Sequence, residues 1–166
     1  MTELEGRKRM GMNYSTDPVG EILKISTKGR YALRMLLDLA EHKNNGFVPL
    51  KEIAVRQDIS KQYLEQIVAL LNTANLLKAN RGNQGGYALT REPSEYTVGE
   101  ILRITEGSLK PVACMENAPN ECENADYCKT LPMWHGLYKV ICDYVDSVTL
   151  QNLIDDYNER ADCYVI

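Results

Sequence analysis

Residues 59–90 read ISKQYLEQIVALLNTANLLKANRGNQGGYALT, and two periodicities meet inside them. Leu64, Ile67, Val68 and Leu71 recur at helical spacing behind Ser60, a residue type that caps helix N-termini. Leu76, Leu77 and Ala79 then lead into Arg81-Gly82-Asn83-Gln84-Gly85-Gly86 and on to Tyr87-Ala88-Leu89-Thr90, two strand-like runs around a glycine-rich tip. The stretch predicts a helix followed directly by a two-stranded hairpin.

Upstream, Ser26 is placed to cap a helix in which Ala32, Leu33, Leu36, Leu37 and Ala40 share a face, ending near His42. After the Asn44-Asn45-Gly46 break, Leu50, Ile53 and Ala54 mark a short second helix, and Gln57-Asp58-Ile59 has the length of a helix-turn-helix turn. Ordinary bundles also contain such helix pairs. The hairpin narrows the choice to a winged helix-turn-helix, in which the third helix enters a major groove and the wing lies along a minor groove. With Leu64, Ile67, Val68 and Leu71 committed inward, Lys61, Gln62, Glu65, Gln66 and Ala69 face out. The glutamines match adenine edges, Lys61 suits phosphate and Glu65 suits a cytosine amine, its carboxylate acting chiefly to reject other sequences. Arg81, beside the conformationally free Gly82, is the minor-groove candidate.

Charge is segregated along the chain. Residues 24–91 carry eleven Lys/Arg against five Asp/Glu, residues 92–166 carry five against fourteen, and the whole chain stands at -4. A basic segment is what phosphate neutralisation requires, although charge alone fits a solvated surface equally well. Three parts are expected: a flexible N-terminal extension over 1–23, a winged helix-turn-helix DNA-binding domain over 24–91, and a cysteine loop with dimerisation helices over 92–166. No run approaches the roughly 20 apolar residues of a membrane span and Met1–Met10 lack the apolar core of a secretory signal, so a cytoplasmic setting is expected. A Ser/His/Asp set, a phosphate loop and a metal-binding histidine pair are all missing, which argues against an enzyme.

In the acidic half, Thr97-Val98-Gly99-Glu100 has capping-box spacing and opens a helix through Ile101, Leu102 and Ile104 that stops at Gly107. The loop from Ser108 to Lys129 holds Cys114, Cys122 and Cys128 as C-x7-C-x5-C among Glu116, Glu121, Glu123 and Asp126. Five cysteines in a chain with no export signal point to metal or redox chemistry rather than a disulfide framework. An iron-sulfur cluster, a metal-free thiol switch and a zinc site all remain, zinc last for want of a C-x2-C step. The carboxylates should keep free thiols protonated until a cationic core stabilises the thiolates. Cys142 is expected as a buried small residue, Cys163 as a tail thiol and His42 as structural. Thr130 is placed to cap a longer helix with Pro132 in its first turn and a stripe of Trp134, Leu137, Tyr138, Ile141, Val145 and Val148. Thr149 then opens a last helix with Leu150, Leu153, Ile154 and Tyr157 apolar. Such a seam predicts a two-fold dimer reading a palindrome; packing against its own domain is the alternative.

The run STKGRYALR over 26–34, Ile59-Ser60 through Tyr63-Leu64-Glu65-Gln66, the Arg81–Tyr87 wing and the triple cysteine followed by Trp134 resemble the IscR family of winged-helix iron-sulfur regulators, relatives of NsrR-type and CymR-type proteins. The resemblance covers residues 24 to about 157. It implies a mainly α fold with a small β-hairpin wing and a long dimerisation helix. It also implies a homodimeric repressor of palindromic double-stranded operators that controls iron-sulfur assembly genes, with cysteine desulfurase or cluster-assembly proteins as further partners. DNA contacts carry over onto Ser60, Gln62, Tyr63, Glu65, Gln66 and Arg81, and onto Lys28, Arg30 and Tyr31 of the first run. An iron-sulfur cluster, 2Fe-2S ahead of 4Fe-4S, carries over onto Cys114, Cys122 and Cys128. Leu131 stands where IscR has a histidine and Arg30 where NsrR-like members have an aspartate, which leaves the fourth ligand open, with His135 as candidate and Glu116, Glu121, Glu123 and Asp126 offering oxygen ligands inside the loop. Asp58 and Asn75 stand where many relatives have glycine, and both types tolerate a left-handed turn. The other reading is a CymR-like regulator of cysteine or sulfur metabolism, controlled by a partner protein or thiol redox without a cluster.

Overall fold

Ser26 accepts hydrogen bonds from the backbone N–H groups of Lys28 and Gly29 and so starts α1 (Thr27–Glu41) in this computed structural model. The structure describes residues 25–82 and 85–163; the N-terminal extension expected over 1–23 and the wing-tip residues Asn83 and Gln84 lie outside them. After α1 come α2 (Leu50–Gln57), α3 (Lys61–Thr73), strands β1 (Leu77–Asn80) and β2 (Gly86–Leu89), α4 (Val98–Glu106), α5 (Leu131–Ser147) and α6 (Leu150–Cys163). This is the mainly helical, hairpin-bearing fold that the periodicities predict. The helix-turn-helix turn is made by Asp58 in the left-handed region at φ 50°, and Asn75 at φ 58° turns the chain out of α3. Ser60 caps α3 by accepting from the Tyr63 N–H at 3.2 Å. Such caps contribute about 1 kcal/mol each.

Leu36, Leu39, Ile53, Leu64, Ile67 and Leu71 are at most 1% exposed and form one core with Tyr96, Ile101 and Leu150 from the acidic half. Burying each such side chain contributes about 1.5–3 kcal/mol. The inward face of α1 is rotated from the expected one: Met35, Asp38 and Leu39 are buried whereas Leu33 and Leu37 are only partly so. The reason is that α4 and α6 as well as α2 and α3 pack on α1, so its buried arc is wider than one helical stripe.

The hairpin pairs Leu77 with Leu89 and Asn80 with Gly86. A third chain segment braces it, because Val48 and Tyr87 exchange both backbone hydrogen bonds at 2.9 Å. Gly86 permits this approach: a Cβ there would strike the Val48 carbonyl and lie 2.8 Å from Pro49 N.

Several local expectations are corrected. Thr97 accepts from the Glu100 N–H at 3.1 Å, but Glu100 does not complete the capping box; its carboxylate takes both bonds from Arg91 at 2.8 and 2.9 Å. Thr130 makes no side-chain cap, since its hydroxyl turns to Cys128 Sγ at 3.4 Å. The stripe expected on α5 is split. Trp134, Tyr138, Ile141 and Val145 are half-buried on a helix packed against α4, as is Val148 just past its end, while Leu137 stays exposed in line with Met133, Val140 and Tyr144. Cys142 is half-buried rather than buried, beside Tyr138 and Arg103. Tyr157 is 68% exposed because α6 leaves the body after Ile154, and every described side chain from Asp155 to Ala161 faces solvent. The Cys163 side chain lies outside the described residues. Among the described residues no helix is long and apolar enough to cross a membrane.

Candidate nucleic-acid interface and cysteine loop

The free face of α3 presents Lys61, Gln62, Glu65, Gln66 and Ala69, all exposed. Glu65 is not a bare carboxylate on this face: Lys61 Nζ lies 3.4 Å from it one turn back, a pair that contributes a few tenths of a kcal/mol in water, on the order of 0.3. At the wing tip Arg81 and Gly82 are exposed, and Gly82 takes φ 120°, a conformation that side chains disfavour. The other residues assigned to DNA by resemblance divide. Arg30 is exposed, with its guanidinium on Thr27 Oγ1 at 3.1 Å, Lys28 is half-buried, and Ser60 spends an oxygen lone pair on the α3 cap. Tyr31 and Tyr63 meet edge to face with centroids 5.7 Å apart, and Arg34 lies 5.4 Å over the Tyr31 ring. The tyrosines thus brace α1 against α3 and set the height of the recognition face.

A second brace is absent from the sequence reading. Asp38, 1% exposed, accepts from Arg56 Nε at 3.0 Å and Nη2 at 2.6 Å, and from Gln57 Nε2 at 3.0 Å. Arg34 donates to the Gln57 side chain at 3.1 Å and to its carbonyl. These bonds tie α1 to the last turn of α2, where the chain enters the left-handed Asp58 and then α3. His42 closes the set with Nδ1 on the Asp38 carbonyl at 2.7 Å, the structural part expected of it. Burial alone would raise the Asp38 pKa; the hydrogen bonds from Arg56 and Gln57, with the charges of Arg56 and His42, outweigh it and hold the carboxyl below its ordinary range. The signal in sequence was an acid on an apolar face one turn before a histidine, but its main partner is 18 residues away.

In the cysteine loop, short 3₁₀ turns at Ala113–Met115 and Ala125–Tyr127 set the sulfurs. Met115 is buried and anchors the first turn. Cys114 and Cys122 line one hollow of about 300 Å³ together with Ala113, Asn117 and Glu121. Cys128 stands apart, by Thr130. The Thr130 hydroxyl and backbone N–H hold the Cys128 thiol below its ordinary range against a smaller opposing effect of desolvation. His135 lines a different hollow with Met115, Leu131 and Tyr138. Among the described residues no three His, Cys, Asp or Glu side chains converge as metal ligands. The donor chemistry, three reachable sulfurs within one loop, fits thiolate ligation of iron.

A helix-turn-helix with an exposed polar recognition face, followed by a glycine-tipped wing and backed by a separate cysteine loop, defines a DNA-binding transcriptional regulator of the winged-helix class. The chain belongs to the Rrf2 family, described as iron-dependent transcriptional regulators, whose family model matches residues 25–156. It is 36% identical over 144 residues to the transcriptional regulator CymR of Bacillus subtilis, covering 86% of this chain and 98% of that protein. To the transcriptional regulator IscR of Photobacterium profundum it is 35% identical over 136 residues, covering 82% of this chain and 78% of that protein. Among solved structures, IscR of T. potens matches with a TM-score of 0.67 at 40% identity, covering 83% of this chain and 90% of that one. The curated relatives are named as transcriptional regulators, not as enzymes, and the family resemblance read from the sequence holds, with both IscR and CymR among the relatives.

Proposed function

We propose that this regulator binds a palindromic operator as a homodimer and that Cys114, Cys122 and Cys128 hold an iron-sulfur cluster whose presence sets its DNA affinity, with iron-sulfur assembly genes as targets. Residues 24–91 form the DNA-reading part in this reading, and residues 92–166 the sensing and dimerising part. Three cysteines confined to one loop, in a chain of a family described as iron-dependent, carry the proposal. A bound cluster supplies an oxidant- and supply-sensitive anchor for the loop. The chain's own residues do the rest: Gln62 and Gln66 read base edges, Lys61 and Arg81 meet phosphate and minor groove, and the exposed Met133, Leu137, Val140 and Tyr144 line of α5 is the dimer face. The coupling required is only about 1–3 kcal/mol.

Anaerobically purified protein is expected to contain iron and acid-labile sulfide, with visible absorbance lost in Cys122→Ser, and holo and apo forms should differ in operator affinity by about fivefold or more. Equal affinity at one salt concentration would falsify the coupling. On the DNA face, Gln66→Ala should cost about 1–3 kcal/mol of discrimination at one base pair, whereas Arg81→Ala should lower affinity for all sequences and reduce the salt slope by about 1. Titrations against operator variants at three salt concentrations separate the two.

A second reading has its own observation. Cys114 and Cys122 share a hollow that Cys128 does not line, an arrangement suited to a two-thiol redox switch in a CymR-like regulator of sulfur metabolism. That protein would be colourless, would hold no iron, and would respond to Cys114→Ser as strongly as to Cys122→Ser.

A further inference from the structure

Tyr96 is fully buried at the point where the two halves of the chain meet, and each end of the residue holds a different half. Its phenol donates to the Leu76 carbonyl at 2.9 Å and accepts from the Thr90 N–H at 2.8 Å and the Arg91 N–H at 3.0 Å. Leu76 is the residue before β1, and Thr90 and Arg91 follow β2, so one oxygen gathers both feet of the wing beneath the end of α3. Its backbone carbonyl accepts from the Leu150 N–H at 3.0 Å, and two residues on, Val98 N–H donates to the Val148 carbonyl at 2.8 Å. Thr97 and Thr149 thus pair as an isolated antiparallel bridge, which fixes the α5–α6 junction to the entry of α4. Arg103 strengthens the joint from α4, meeting Asp146 at 2.6 and 2.8 Å just before that junction. The Arg91 guanidinium lies 4.5 Å over the Tyr96 ring and is held there by Glu100.

We propose that Tyr96 is a positioning residue through which the α5–α6 junction sets the attitude of the wing, so that any displacement of α5 reaches the DNA-facing tip through the phenol. The link is short, with backbone hydrogen bonds at the α5–α6 end and the buried phenol's bonds to wing backbone groups at the other. A phenylalanine keeps the ring and the backbone bridge and removes only the bonds to the wing. Coupling of this kind is a property of a pair of sites, and a double-mutant comparison isolates it.

The experiment follows hydrogen exchange of the wing amides from Lys78 to Asn80 and from Tyr87 to Leu89 in the full chain without DNA, for the wild type, Asp146→Asn, Tyr96→Phe and the double variant. Asp146→Asn is expected to speed wing exchange by about threefold or more in the wild-type background and to produce no further change once Tyr96 is phenylalanine. An equal response in both backgrounds, or none in either, overturns the proposal. Should Tyr96→Phe not fold, Thr90→Val removes the hydroxyl that meets the phenol at 3.0 Å and donates to the Asn75 carbonyl at 2.9 Å; the Asp146→Asn response should then fall by about half or more, and an undiminished response has the same overturning force. The wing's contact with DNA rests on the function proposed above, which Arg81→Ala tests separately, so failure of either leaves the other standing.

Discussion

Asp38→Ala is expected to lower the folding stability by about 3 kcal/mol, near the bottom of the range for breaking a buried ion pair. The side chain is 1% exposed and accepts from two residues of α2, so its loss removes bonds from Arg56 and Gln57 at once; Arg56 keeps Glu52 at 3.4 Å and 31% of its side chain in water, which limits the penalty. Urea denaturation of the full chain measures the change, and a loss under about 1 kcal/mol would mean that the clamp is idle. The same carboxyl makes stability depend on acid. Its folded pKa lies below its unfolded one, so its contribution is complete above about pH 4, the ordinary range of an aspartate, and declines as pH falls through the lower folded value. Asp38→Ala should therefore flatten the acid limb of the stability curve while leaving the neutral region lower but level. Because the clamp holds the last turn of α2, operator affinity should fall as well, even at temperatures where the variant is fully folded.

Gly86→Ala should have the second large effect, and on a different quantity. The new methyl group meets the backbone of Val48 and Pro49, which has no rotamer to yield, so the Val48–Tyr87 rung must open. The cost of such overpacking is about 1–3 kcal/mol. The larger consequence is for the wing, which loses its bridge to Val48 and with it a fixed position relative to α3. Operator affinity is expected to fall at least about tenfold, ~1.4 kcal/mol, in fluorescence anisotropy titrations. Retention of wild-type affinity together with wild-type stability would show that the hairpin can shift without consequence, and would remove the wing from the reading surface.

Much of this architecture was legible in the chain because the relevant interactions are local. Ser26, Ser60 and Thr97 bond to backbone within three residues, Asp58 and Asn75 adopt the left-handed turns their side chains tolerate, and the inward quartet of α3 follows from spacing alone. The outward face of α3 follows by subtraction. What failed were assignments in which a local rule met a competing partner. Thr130 had the position of a cap but gave its hydroxyl to Cys128, Glu100 had the spacing of a capping box but was drawn to Arg91, and the α5 stripe read as one seam until α4 covered part of it.

The linear order of residues was enough to determine the helix-turn-helix, the hairpin after it, the segregation of charge and the confinement of three sulfurs to one loop, since each depends on neighbours a few positions apart. Only the tertiary structure decided that Asp38 is a clamp, that Tyr96 joins the wing to the far end of the chain, and that Cys114 and Cys122 share a hollow without Cys128. In each of those cases the partner groups are brought together by packing, and a buried polar group takes its meaning from whatever the fold sets within hydrogen-bonding reach of it.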